Sequence, residues 1–197
     1  ITLKKHMRAK AIAEQCGLNC VYIADSGGAF LPMQADVFPD DQHFGSMFFN
    51  MARMSALGLK QITLSTGGNT AGGAYIVFMA CQSVMIDQNA YSFLGGPPLV
   101  KMATGEVISA EDLGGAFAHG TKSGVTHFIA ENDLACIAMI KKLLSYLPQN
   151  CEDRPPALPF TPGEELRPQL QEIVPENASQ PYDMRDVIHG IVDADSF

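Results

Sequence analysis

Two short apolar runs each end in a cluster of glycines and then give way to helical spacing. Cys20-Val-Tyr-Ile-Ala24 leads into Asp25-Ser-Gly-Gly-Ala-Phe30, and Gln61-Ile-Thr-Leu-Ser65 leads into Thr66-Gly-Gly-Asn-Thr-Ala-Gly-Gly-Ala74. The first run, continuously apolar over residues 20–24, suits a strand buried on both faces, the usual state in parallel sheets covered by helices. Strand, glycine turn and helix, repeated, predict α/β architecture: a mostly parallel sheet with flanking helices. Residues 20–24 and 61–65 are expected to be neighbouring parallel strands.

Other elements follow from periodicity. A helix is predicted over 3–16, where Leu3, Met7 and Ala11 recur every four positions among Lys4, Lys5, Arg8 and Lys10, and Gly17 stops it. A second helix spans about 43–57. Asp40 or Asp41 is its expected cap, Phe44, Met47, Phe48, Met51 and Met54 form its core face, and Gly58 ends it. A third, 71–80, is expected to start at a cleft. Residues 83–86 and 91–94 are strand candidates. Asn132 or Asp133 caps a helix carrying Leu134, Ile137, Lys141, Leu144 and Leu147 at three- or four-residue spacing. From Pro148 onward, prolines at 148, 155, 156, 159, 162, 168, 175 and 181 forbid long helices and central strands. Residues 1–147 are therefore predicted to form one lobe, and 148–197 a Pro-rich arm with a short helix at 183–192.

Composition narrows the function. A net charge of -8 argues against nucleic-acid binding, which rests on Lys and Arg neutralising phosphates. No stretch has the make-up of a signal peptide or a membrane span. The chain starts at Ile1, in what reads as mid-helix, and is expected to be a fragment or a processed product. Its five cysteines, at 16, 20, 81, 136 and 151, are an odd number in mostly apolar settings. They predict buried free thiols in a reducing compartment. Cys16 and Cys20 have no second ligand pair at zinc spacing, so no metal is expected.

Side-chain catalysts are not evident. No nucleophile elbow, Walker loop, zinc-protease motif or dinucleotide fingerprint is present. His6, His43, His119, His127 and His189 are scattered, and each reads as a surface or packing residue. Ser26 reads as a turn serine bonded to backbone. What remains is backbone. Glycine lets a ligand approach the main chain. Amides at a helix start lack intrahelical acceptors, so they can bind anions or stabilise an oxyanion. Tight packing of strand on helix explains the same glycines equally well. A third glycine segment, Leu94-Gly-Gly-Pro-Pro-Leu-Val-Lys101, is stiffened by its prolines and can wall an apolar pocket.

Taken together, these segments resemble one family. Gly68-Asn-Thr-Ala-Gly-Gly-Ala-Tyr75 resembles the oxyanion-hole turn of acyl-CoA carboxylase carboxyltransferase subunits. Asp25-Ser-Gly-Gly-Ala-Phe-Leu-Pro32, Gln34-Ala-Asp-Val-Phe38 with Pro39, and Phe44-Gly45 resemble the segment before it. Phe93-Leu-Gly-Gly-Pro-Pro-Leu-Val-Lys101, Ser109-Ala-Glu-Asp-Leu-Gly-Gly-Ala116, His119 and Ser123-Gly-Val125 resemble those after it. The likeness is greatest to the non-biotin-carrying subunits of methylcrotonyl-CoA and geranyl-CoA carboxylases. It covers 1–147 almost without a gap, and Tyr182–Ile188 resembles the hinge to a second lobe.

The resemblance implies a crotonase-like (ClpP/crotonase superfamily) N-terminal lobe that binds acyl-CoA, with carboxybiotin bound by the C-terminal lobe of a neighbouring subunit. It implies that the Gly72 and Gly73 N–H groups hold the thioester oxygen of a dienolate. Gly27, Gly28, Ala29 and Ala71 would contact the CoA arm or thioester, Phe93, Gly95 and Gly96 the acyl group, and Arg8 the CoA phosphates. Biotin would arrive on a biotin-carboxylase/biotin-carrier partner, and the subunits would form a hexamer. The setting would be cytoplasmic in a bacterium and the mitochondrial matrix in a eukaryote. This chain alone is expected to be inactive. Gly95 stands where methylcrotonyl enzymes are expected to have alanine. Gly67-Gly-Asn69 replaces a Gly-Ser-Cys-like triplet, and His127 replaces an acidic residue. Rival readings are a carboxylase for geranyl- or propionyl-CoA, a crotonase-fold CoA hydratase or decarboxylase, and a non-catalytic assembly fragment.

Overall fold

The computed structural model describes residues 2–38, 41–157, 169–192 and 197. Among them, β1 (Cys20–Ser26), β2 (Gln61–Thr70), β3 (Gln82–Ile86), β4 (Tyr91–Phe93) and β5 (Phe128–Ala130) form one sheet. The order is β1-β2-β3-β5, with β4 branching from β2, and each pairing is parallel. The expected neighbours pair from Cys20 with Gln61 to Ala24 with Ser65. The chain divides into two compact units, Ile1–Pro156 and Ala157–Phe197, and the sheet belongs to the first.

The centre of the sheet is β2, and its residues 61–65 are all buried. On one side lies α3 (Phe44–Ala56), with Met47, Met51 and Met54 buried. Unbranched methionines fill irregular gaps, and burying each contributes roughly 1.5–3 kcal/mol of transfer free energy. A second cluster joins Ile62, Leu64, Val84, Met85 and Ile86 to Cys136 and Ile140 of α7 (Asp133–Ser145). Between these in sequence come α4 (Gly72–Phe78), α5 (Pro97–Thr104) and α6 (Ala110–Gly114); α1 (Thr2–Gln15) and the single turn α2 (Gln34–Val37) precede α3.

Several expectations need correction. β1 is not buried on both faces. Tyr22 and Ala24 point inward, but Ile23 is 74% exposed, because β1 is the sheet edge and α7 packs chiefly on β2, β3 and β5. The N-cap of α3 is His43, without a side-chain cap bond; Asp41 precedes it, and Asp40 lies outside the described residues. Asn132 does cap α7, accepting from the Ala135 N–H at 3.0 Å. The inner face of that helix is Cys136 and Ile140, whereas Leu134 is exposed. Pro97 and Pro98 start α5 rather than stiffen a loop, since the first helical turn needs no N–H bonds. Of the cysteines only Cys136 is buried, and Cys16 and Cys81 are exposed.

Lys10 is the largest departure. It is buried, not part of a polar rim. Its ammonium donates to the Met47 carbonyl (3.1 Å) and lies 5.3 Å from the Tyr22 ring centroid. His6 stacks on the other part of this cluster, 5.5 Å from Tyr22. Tyr22 donates to Gln61 Oε1 (2.7 Å), and Gln61 Nε2 donates to the Met51 carbonyl and Ser55 Oγ. The chain of bonds ties α1, β1, β2 and α3 together, and it satisfies most of what it buries. Burial, with Lys10 nearby, pushes His6 down to about 4. Burial also pushes Lys10 down to about 8.

In the second unit, α8 (Gln169–Ile173) and α9 (Met184–Ile191) are described. Asp183 caps α9, accepting from the Arg185 N–H at 2.9 Å. The Arg185 guanidinium beside it holds the Asp183 carboxyl below its usual range. The helix expected at 183–192 is thus present.

Candidate active site

The second glycine segment is mostly strand, not turn. β2 stays extended to Thr70. Opposite the step from Ala24 to Ser26, β2 advances from Ser65 to Asn69, so Thr66–Gly68 bulges out of register. A Cβ on Gly67 would lie 2.8 Å from the Asp25 carboxyl carbon, and one on Gly68 would lie 2.5 Å from the Tyr91 ring. Asn69 closes the bulge from inside. Fully buried, its Nδ2 donates to Ser65 Oγ (2.8 Å), the Gly67 carbonyl (3.1 Å) and the Ala24 carbonyl (3.4 Å).

The chain turns sharply only at Ala71, with φ 52° and ψ -116°. That conformation favours glycine, and an alanine held there costs about 1–3 kcal/mol. The Ala71 N–H donates to the Phe93 carbonyl (3.1 Å), and its own carbonyl accepts from Ala74 N–H (3.1 Å). The next two amides, of Gly72 and Gly73, open α4 directly after this turn. As the first residues of α4 they have no intrahelical acceptors.

The two glycine turns touch. A Cβ on Gly28, whose φ is +90°, would lie 3.1 Å from the Thr70 carbonyl oxygen and 3.6 Å from Ala71 Cβ. A Cβ on Gly73 would lie 2.7 Å from the Ser26 carbonyl oxygen. Gly27 opens on space, with nothing within 4 Å of its Cβ position. Ala71 is exposed, Gly72 half-buried and Gly73 buried. The Phe44 ring lies over Gly72, at 2.2 Å from its Cβ position. Phe44 packs edge-on to Phe38 and Phe48, and Phe48 meets Tyr75. Phe93 stacks on Tyr91, and its ring is 3.1 Å from a Cβ on Gly96. A Cβ on Gly95 would make ordinary contact with Leu99 at 3.5 Å.

Gly27, Gly28, Ala29, Ala71, Gly72, Gly73, Phe93, Gly95 and Gly96 are thus brought to one end of the sheet, linked through Thr70 and Ala71. Arg8 is not among them. It lines a groove between α1 and α3 with Asn50 and Arg53, and Arg53 pairs with Glu14. An open cleft of about 1030 Å³ runs instead past Lys4, Lys5, His6 and Tyr22 to Ser26, Gly28 and Ala29. Its wall on α4 is Ile76, not the helix start. Ser26 Oγ accepts the Gly28 N–H (3.3 Å), as a turn serine does. His119 and His127 do not share a site: His119 bonds Ser92 and Ser123, and His127 Nδ1 accepts from the Ser83 N–H at 3.2 Å. Among the described residues no three His, Cys, Asp or Glu are grouped to hold a metal. No helix there is long and apolar enough to cross a membrane.

The Carboxyl transferase domain family matches residues 1–197. The chain belongs to that family. As a carboxyl transferase domain it is 47% identical, over its whole length, to 34% of the methylcrotonoyl-CoA carboxylase beta chain of Dictyostelium discoideum. It is 43% identical to 37% of the biotin-dependent 3-methylcrotonyl-coenzyme A carboxylase beta1 subunit of Mycobacterium tuberculosis. The carboxyl transferase domain therefore spans about a third of the length of these relatives. Transcarboxylase 12S, solved as a hexamer with hydrolyzed methylmalonyl-coenzyme A bound, superposes with a TM-score of 0.85 at 34% identity, over 97% of this chain and 37% of that one. The beta subunit of P. aeruginosa geranyl-CoA carboxylase gives 0.68 at 34% identity, over 94% and 34%. The fold is crotonase-like.

Proposed function

We propose that this chain is the acyl-CoA-binding part of a biotin-dependent acyl-CoA carboxylase, with 3-methylcrotonyl-CoA as acceptor. The observation that carries this is the contact of the two glycine turns at Ala71, whose left-handed φ is followed at once by the two amides that open α4. Loss of the γ proton from an α,β-unsaturated thioester puts negative charge on the thioester oxygen. The Gly72 and Gly73 N–H groups hold that oxygen, each well-placed donor contributing roughly 3–4 kcal/mol in the transition state. Gly27, where a Cβ would meet nothing within 4 Å, leaves the thioester arm room against bare backbone, Gly28 and Ala29 line the cleft beside it, and Phe93, Gly95 and Gly96 border the acyl group. Of the basic residues on α1, Lys4 and Lys5 share the cleft with Gly28 and Ala29, and we place these, rather than Arg8, against the CoA phosphates.

The chain supplies position and charge stabilisation, not a base. Ser26 Oγ already accepts an amide, and both ring nitrogens of His119 are bonded within the chain. Biotin on a partner subunit would supply the CO2 unit and a base for the substrate proton, leaving position and charge stabilisation to Gly72 and Gly73 of this chain. The site leaves room for such a substrate at Gly27, where bare backbone opens on space, while Gly28 and Gly73 pack the two turns together. Its compartment follows its source, the mitochondrial matrix in a eukaryote and the cytoplasm in a bacterium. Assembly as a hexamer, by analogy with transcarboxylase 12S, belongs to the same proposal.

The test is ATP- and bicarbonate-dependent carboxylation by a full-length subunit containing this sequence, assembled with its biotin-carrying partner. Methylcrotonyl-, geranyl-, propionyl- and acetyl-CoA are compared. Methylcrotonyl-CoA is expected to give the highest kcat/KM. Gly95→Ala should leave Tm unchanged, because the added methyl meets Leu99 at ordinary contact, and should lower the geranyl-to-methylcrotonyl ratio by about tenfold, the discrimination a few apolar atoms provide. A preference for propionyl- or acetyl-CoA contradicts the acceptor assignment. Biotin-independent hydration of an enoyl-CoA contradicts the reaction.

A further inference from the structure

β4 is three residues long, yet it holds the N-cap of α4. One edge pairs with β2 at Gly68–Thr70, and its Phe93 carbonyl accepts the Ala71 N–H. So short a strand needs support from elsewhere. On the other edge Gly115 bridges Tyr91, and the Ser92 carbonyl accepts from Nε2 of His119 at 2.7 Å. The same ring meets Phe78, the last residue of α4, with centroids 4.7 Å apart. His119 therefore touches both the strand that holds one end of α4 and the residue that closes the other.

The ring has one orientation. A carbonyl only accepts, so Nε2 carries a hydrogen, and Nδ1 lies 2.9 Å from the Ser123 hydroxyl, which is also 3.3 Å from the His119 carbonyl. A π-helical turn, Ala118–Ser123, sets the two side chains together, and such turns concentrate at functional sites. Gly114 packs on the same Ser92 carbonyl, 2.3 Å from its Cβ position, so β4 is enclosed on this edge.

We propose that His119 is a positioning residue for the carboxyl transfer: it clamps β4 and α4 from behind and so fixes the direction of the Gly72 and Gly73 N–H groups. It takes no proton from substrate, since both ring nitrogens are used within the chain. The inference rests on reading Ala71–Gly73 as the oxyanion turn.

His119→Gln and His119→Asn test it in the full-length subunit with its partner. Glutamine places an N–H near the Nε2 position and can reach Ser92; asparagine places one near Nδ1 and cannot. In His119→Asn, kcat is expected to fall about tenfold or more, as small misplacements of reacting groups do, with KM for acyl-CoA within about twofold. Amide exchange at Ala71 should accelerate about tenfold, the loss of one modest hydrogen bond. His119→Gln should stay within about threefold of wild type in both measures. Equal behaviour of the two variants, or unchanged Ala71 exchange in His119→Asn, overturns the proposal. So does a fall in kcat that follows a fall in Tm in both. If the wild-type subunit carboxylates no acyl-CoA, the functional reading fails, and Ala71 exchange still decides whether His119 holds the turn.

Discussion

Gly73→Val is expected to abolish turnover and to destabilise the fold together. A Cβ at this position lies 2.7 Å from the Ser26 carbonyl oxygen and 3.0 Å from Ser26 Cβ. These atoms end β1 and begin the first glycine turn, so neither side can yield alone. A β-branched side chain forces the turns apart, at about 3 kcal/mol or more, the upper range for overpacking. Separation also turns the Gly72 and Gly73 amides away from the thioester, costing about a hundred- to thousand-fold in rate per donor. Packing and the proposed oxyanion role, alternatives at the level of sequence, are compatible: the close approach of Gly73 to Ser26 brings the turns together, and the proposal adds that it aims the amides. Melting temperature and carboxylation rate measured on one preparation check both effects. A variant that melts like wild type and turns over normally excludes the proposed role.

Asn69→Asp should cost roughly 3–5 kcal/mol, although it exchanges a single heavy atom. The amide nitrogen is surrounded by three oxygens, of Ser65, Gly67 and Ala24, at 2.8–3.4 Å. A carboxylate there cannot donate, and it places buried charge against acceptors. The sign with pH follows. Burial raises the folded pKa of the new carboxyl above its unfolded value. The penalty is therefore small below the unfolded pKa and grows by about 1.4 kcal/mol per pH unit as pH rises towards the folded pKa. Urea unfolding of wild type and variant at matched pH values between 4 and 7 checks it. A pH-independent difference under 1 kcal/mol contradicts this account of Asn69.

Sequence pattern revealed β1, a continuous apolar run closed by glycine, β2, whose Ile62 and Leu64 alternate with polar residues before its glycines, and α3, whose methionines recur on one face. It did not reveal Ala71. Nothing in the residue type marks an alanine held at positive φ; only the pairing of Thr70 with Phe93 and the Ala71–Phe93 bond impose it. Lys10 was misread for a related reason. Its charge suggests solvent, but a long side chain can be buried when its ammonium finds an acceptor, here Met47, and an aromatic face, Tyr22. Leu134 and Ile137 lie at helical spacing, but Cys136 and Ile140 do so as well, and only the position of the sheet decides which pair is buried. The glycine segments that the resemblance groups lie together in the fold, whereas Arg8, a candidate for the CoA phosphates, lines the α1–α3 groove, since residue type does not say which face of α1 a side chain takes. β5 escaped because three residues, Phe128–Ala130, are too few to show a period.

Amide exchange of the full-length subunit with and without 3-methylcrotonyl-CoA tests the central claim most directly. The account predicts slowed exchange at Gly72 and Gly73, and at Gly27–Ala29, with little change along the α1–α3 groove around Arg8. Protection confined to that groove, or none at Gly72 and Gly73 under saturating ligand, would contradict it.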